Sequence, residues 1–74
     1  MEKINWDTGT FRDGEMRYFS VCHKGTEVEF NGYNNRDEEL SLFVNGKKIP
    51  GVTCRANEIS SISVHDLDRF VTMK

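Results

Sequence analysis

Asn45-Gly46 stands between two alternating runs, Leu40 to Val44 and Lys47 to Val52, and this commits the middle of the chain to an antiparallel hairpin. Asn followed by Gly accepts the two positive φ angles of a type I′ turn, whose twist matches that of the strands it joins. Strand side chains alternate between faces, so the turn also sets a register. Leu42 falls opposite Ile49, Leu40 opposite Gly51 and Val44 opposite Lys47, while Ser41, Phe43 and Lys48 share the other face.

Asp13-Gly14 is a second pair of this kind and places Phe11 opposite Met16, on the side of Tyr18. His23-Lys24-Gly25 marks a third turn. A two-residue loop at Lys24-Gly25 pairs Val21 with Val28 and Phe19 with Phe30, and sets Ser20 and Cys22 against Glu29 and Glu27. It asks a positive φ of Lys24, but a one-residue slip would bury Glu27 and Glu29, which costs more. Asn31 to Asp37 reads as a polar loop, and Arg55-Ala56-Asn57 separates two further apolar runs. The expected fold is therefore mainly β, an antiparallel meander of six short strands over 6–12, 15–22, 26–31, 39–44, 47–54 and 58–63. Curling into a small barrel is the alternative to an open sheet. Leu67, Phe70 and Val71 recur at helical spacing, and Ser63 with Asp66 has the form of a capping box, which predicts a helix over 64–73. A strand over Arg69 to Met73 is the competing reading, since Val, Thr and Phe favour pleated structure.

Of 74 residues 36% are apolar, enough for one small core and a single domain spanning 1–74. Phe19, Val21, Val28, Phe30, Leu40, Leu42, Val44, Ile49, Ile59 and Ile62 fill the inner face, closed by Leu67, Phe70 and Trp6. The opposite parity still carries Phe11, Met16, Tyr18, Phe43 and Val52. That surplus is either scattered surface or a face that meets a partner.

Ten Lys and Arg against twelve Asp and Glu exclude a strongly basic nucleic-acid binder. No run approaches a membrane span, and Met1 to Asp7 lacks the apolar stretch of a signal peptide, so a cytoplasmic chain with no membrane partner is expected. Cys22 and Cys54 are too few for a disulfide framework and are read as free thiols, a single bridge being the alternative. Cys22, His23, Cys54 and His65 are metal-ligand types, but closely spaced ligand pairs are missing, so no metal is expected. Cys54 with His65 as a base lacks anything that would lower the thiol pKa. Glu27 and Glu29 share a strand face without apolar neighbours that would set one up as an acid, and read as a solubilising face. Asp37-Glu38-Glu39 reads as a solvated loop end. Phosphate-cradling, dinucleotide-binding and common hydrolase motifs are missing, so no catalytic residue, no cofactor and no small-molecule substrate are expected.

The segment Val44 to Val52 resembles the V-N-G-x-x-[IL]-x-G strand pair of Sm-like RNA-binding proteins over nine residues. An Asn-Gly hairpin between alternating apolar residues produces that string unaided, and that family's long following strands have no room between Asn57 and Val64. The family is not assigned.

The functional expectation is a non-enzymatic binding module that docks on a partner protein as an inhibitor, regulator or adaptor, in the manner of small bacterial or phage accessory proteins. Phe11, Met16, Tyr18, Tyr33 and Phe43 are the expected contact residues, with Arg17 and Lys48 at the rim. Self-association through the same face is a variant, since it would bury the second apolar parity. The alternative function is binding of single-stranded nucleic acid, with bases stacked on Phe11 and Tyr18 beside Arg12 and Arg17, and with Lys47, Lys48 and Arg55 as a second basic edge. Asp13, Glu15, Glu27 and Glu29 oppose it, because phosphate affinity needs unopposed positive charge.

Overall fold

The computed structural model describes residues 4–11, 14, 16–33 and 39–73. Arg12, Asp13, Glu15 and residues 34–38, which include Asp37 and Glu38 of the expected loop end, lie outside them, whereas Asn31 to Tyr33, expected in that loop, continue the third strand. Five strands, β1 (Asp7–Thr10), β2 (Met16–His23), β3 (Thr26–Tyr33), β4 (Glu39–Val44) and β5 (Lys47–Arg55), form one antiparallel sheet in chain order. The chain is mainly β, as its alternation demanded. β1 and β5 are the two edges, so the sheet is open and not a barrel.

Both central turns have the geometry the pattern required. Asn45 and Gly46 have φ of 50° and 81°, and Lys24 and Gly25 have 53° and 77°. Val21 pairs with Val28, Phe19 with Phe30, Leu42 with Ile49 and Val44 with Lys47. In the first hairpin the Phe11 amide donates to the Met16 carbonyl at 2.7 Å, which puts these two residues opposite each other.

Two expectations fail, for related reasons. Leu40 pairs with Cys54 and not with Gly51, because the β4–β5 register shifts between Ser41 and Leu42. Ser41 faces Thr53 while Leu42 faces Ile49, which leaves Pro50, Gly51 and Val52 as extra residues on the β5 side. Three extra residues invert the alternation, so Val52 and Cys54 turn inward and pack against the core on the side of Ile49. Val52 therefore does not lie on the outer face. Gly51, at φ 82°, supplies the left-handed residue the bulge needs, and Pro50 sits on an edge strand where a missing N–H is tolerated.

The expected sixth strand is a 3₁₀ helix, η1 (Ala56–Ser61). Ile59 and Ile62 are three apart, a spacing that a strand sends to opposite faces but a three-residue turn brings to one side. Ala56, Ile59 and Ile62 all pack on the core. The Glu58 carboxylate accepts the Arg55 amide at 3.2 Å and anchors the start of the segment.

The C-terminal segment is the helix α1 (Val64–Val71). Ser63 Oγ accepts the Asp66 amide at 3.3 Å and Asp66 Oδ2 accepts the Ser63 amide at 2.9 Å, closing the capping box. The helix ends at Val71, two residues short of the expected boundary, with Thr72 as its cap. Leu67 and Phe70 enter the core, where Phe70 meets Phe30 edge-on at 5.7 Å between ring centres. Trp6 approaches Phe30 in the same manner at 6.2 Å.

One polar clamp joins the helix to the β2–β3 turn. Asp68 Oδ1 lies 2.7 Å from His23 Nε2 and 2.8 Å from Lys24 Nζ. The hydrogen bond from His23, then that from Lys24, holds the Asp68 carboxyl at about 2, below its ordinary value of 3.8. The clamp also steadies Lys24 in a backbone region that side chains other than Gly rarely adopt.

Two outcomes follow. A group whose folded pKa is depressed adds stability above its unfolded pKa and loses it as pH falls toward the folded value. Asp68→Asn should therefore lower the urea midpoint above pH ~4, and the deficit should vanish as pH approaches ~2; a deficit independent of pH would refute the ionic origin. Nothing lies within 4 Å of a Cβ built on Gly51, so Gly51→Ala pays only backbone strain and should cost about 1–2 kcal/mol in urea unfolding.

Candidate functional site

Every buried apolar residue among those described lies on one side of the sheet or on the segments covering that side. No described element packs on the other side. Its side chains follow from the pairing. One row across the strands is Asp7, Ser20, Glu29, Phe43 and Lys48; the next is Gly9, Tyr18, Asn31, Ser41 and Thr53. The third holds Phe11, Met16 and Tyr33 at one end and Glu39 with Arg55 at the other.

Phe11, Met16, Tyr18 and Tyr33 come together at the β1–β3 corner. The Phe11 and Tyr18 rings pack at 5.4 Å with a 58° tilt. The Tyr18 ring lies over Gly9, where a Cβ would come within 3.0 Å of the phenol oxygen. Phe11 and Tyr33 are 41% and 59% exposed, values that belong to rings standing in solvent and not to a covered core. Phe43 is on the same face but two strands from Tyr18, beside Lys48, its partner on β5.

Arg17 is the exception. It precedes Tyr18 in a strand and so points to the opposite face, where its guanidinium sits 4.8 Å from the Phe19 ring centre. It is not at the rim of the aromatic face. That removes the described arginine of β2 from the cluster expected for stacked bases.

The sequence reading overlooked Asp7, Asn31 and Thr53 as members of this face. The Asp13-Gly14 register would have placed Asp7 opposite Ser20. Thr53 was hidden by the bulge. Asn31 Nδ2 donates to Glu29 Oε2 at 2.6 Å, and Thr53 Oγ1 donates to Glu39 Oε2 at 2.7 Å, so both carboxylates are held in place by neighbours on the face.

Among the described residues no three His, Cys, Asp or Glu side chains converge as metal ligands would. Cys22 and Cys54 are free and on opposite faces of the sheet, Cys22 exposed on the aromatic side and Cys54 half-buried on the core side. Cys54 Sγ donates to the Arg55 carbonyl at 3.4 Å. Burial first, and the Glu58 carboxylate second, push its pKa above the ordinary value. This is the reverse of an activated nucleophile. Among the described residues, no helix is long and apolar enough to cross a membrane.

At pH 8 a chromogenic disulfide reagent should titrate the folded protein in two phases, with Cys54 several-fold slower than Cys22, and Cys22→Ser should remove the fast phase. A single common rate would contradict the placement of Cys54. Comparison with family models, with curated proteins and with solved structures finds no match to this chain.

Proposed function

We propose that this chain is a non-enzymatic binding module that docks on a partner protein through the uncovered face of its sheet, as an inhibitor, regulator or adaptor. The observation that carries the reading is the grouping of Phe11, Met16, Tyr18 and Tyr33 on a face that no described element covers. Aromatic rings and methionine supply much of the energy of protein contacts, because they bury large areas with few rotatable bonds. Phe43 with Lys48 extends the surface to the far edge. The principal extents of 31 × 26 × 21 Å limit any face to about 800 Å² in projection, roughly what one partner gives to a standard protein interface. Docking would therefore engage most of this side.

The test uses the purified chain as bait in host lysate, beside Tyr18→Ala/Phe43→Ala. The expected result is a partner held by the parent and lost by the variant, with folding intact by circular dichroism. Light scattering is expected to give a monomer mass; a dimer abolished by the same substitutions would assign the face to self-association. Tight, salt-sensitive binding of a labelled single-stranded oligonucleotide would replace the proposal with nucleic-acid binding.

A further inference from the structure

We infer, resting on that docking reading, that the partner is a protein presenting arginine-rich basic surface. Across its length the described face carries Asp7, Glu27, Glu29 and Glu39, opposed by Lys48 and Arg55. Glu29 lies one strand and one row from Tyr18, near the centre of the face. Its carboxylate is fixed by Asn31, and that of Glu39 by Thr53, so the acceptors are ordered before a ligand arrives. A guanidinium suits such a surface in two ways at once. It pairs with a carboxylate through its planar fork, and it stacks on an aromatic ring, which a lysine ammonium does less well. The same chain already shows that contact on its other face, where Arg17 lies over Phe19 at 4.8 Å.

Charge also separates this occupant from its rivals. A second copy would bring the same excess of carboxylates against the first, and like charges across an interface are unfavourable. A phosphate backbone would meet those carboxylates as well.

The experiment measures fluorescence anisotropy of labelled octa-arginine and octa-lysine peptides against the full chain at low and physiological salt. Octa-arginine is expected to bind several-fold more tightly than octa-lysine. Phe11→Ala/Tyr33→Ala, which alters only exposed rings, should erase that preference. Asp7→Asn/Glu29→Gln should weaken both peptides roughly tenfold, and Lys48→Gln should tighten them. No binding, or binding that these substitutions leave unchanged in folded protein, overturns the inference. If Tyr18→Ala/Phe43→Ala abolishes partner capture while Asp7→Asn/Glu29→Gln captures as the parent does, docking stands and the basic partner is wrong. Tighter binding of oligothymidylate than of octa-arginine overturns both.

Discussion

Phe30 is the point at which the separate parts of this small fold become one structure. It is 1% exposed at the middle of the central strand, and it receives the edge of Trp6 from the N-terminal segment and the edge of Phe70 from the C-terminal helix. Local hydrogen bonding would hold the hairpins but not join them to α1. A sheet of five short strands gains its stability by burying one face, and only the segments that reach Phe30 and its neighbours can do that. The 3₁₀ turn contributes Ile59, and the bulge of β5 turns Val52 and Cys54 toward the same core.

That economy explains the other face. The described apolar residues outside the sheet, on the segment before β1, on η1 and on α1, all pack on one side, so no described element covers the other. The inner side takes Ile4, Trp6 and α1, and the outer side keeps Phe11, Tyr18 and Tyr33 beside fixed carboxylates. The clamp of His23, Lys24 and Asp68 belongs to the inner side and holds the helix against the hairpin turn. Structure and proposed function are thus divided between the two faces of one sheet.

Much of this was legible without coordinates. Alternating residues around Asn45-Gly46 and Lys24-Gly25 defined both central hairpins, and the Ser63–Asp66 box with Leu67 and Phe70 defined the helix, because turns, caps and periodicity are local properties. Of the candidate contact residues, Phe11, Met16, Tyr18, Phe43 and Lys48 share one face as parity requires, and Tyr33, expected in a loop, joins them because β3 runs on to Tyr33. Arg17 could have been excluded by the same parity, since its neighbour Tyr18 was already placed outward.

What the sequence determined by itself was therefore the strand pairing on either side of tight turns and the identity of most of the core. What the tertiary structure decided was the bulge that reverses β5, the three-residue turn in place of a sixth strand, and the openness of the sheet. Each depends on contacts between residues distant in the chain. Val52 and Cys54 turn inward because the register shift between Ser41 and Leu42 reverses the alternation of β5, and Ile59 packs on the same core from a turn outside the sheet. No local preference records such a shift; only the assembled packing does.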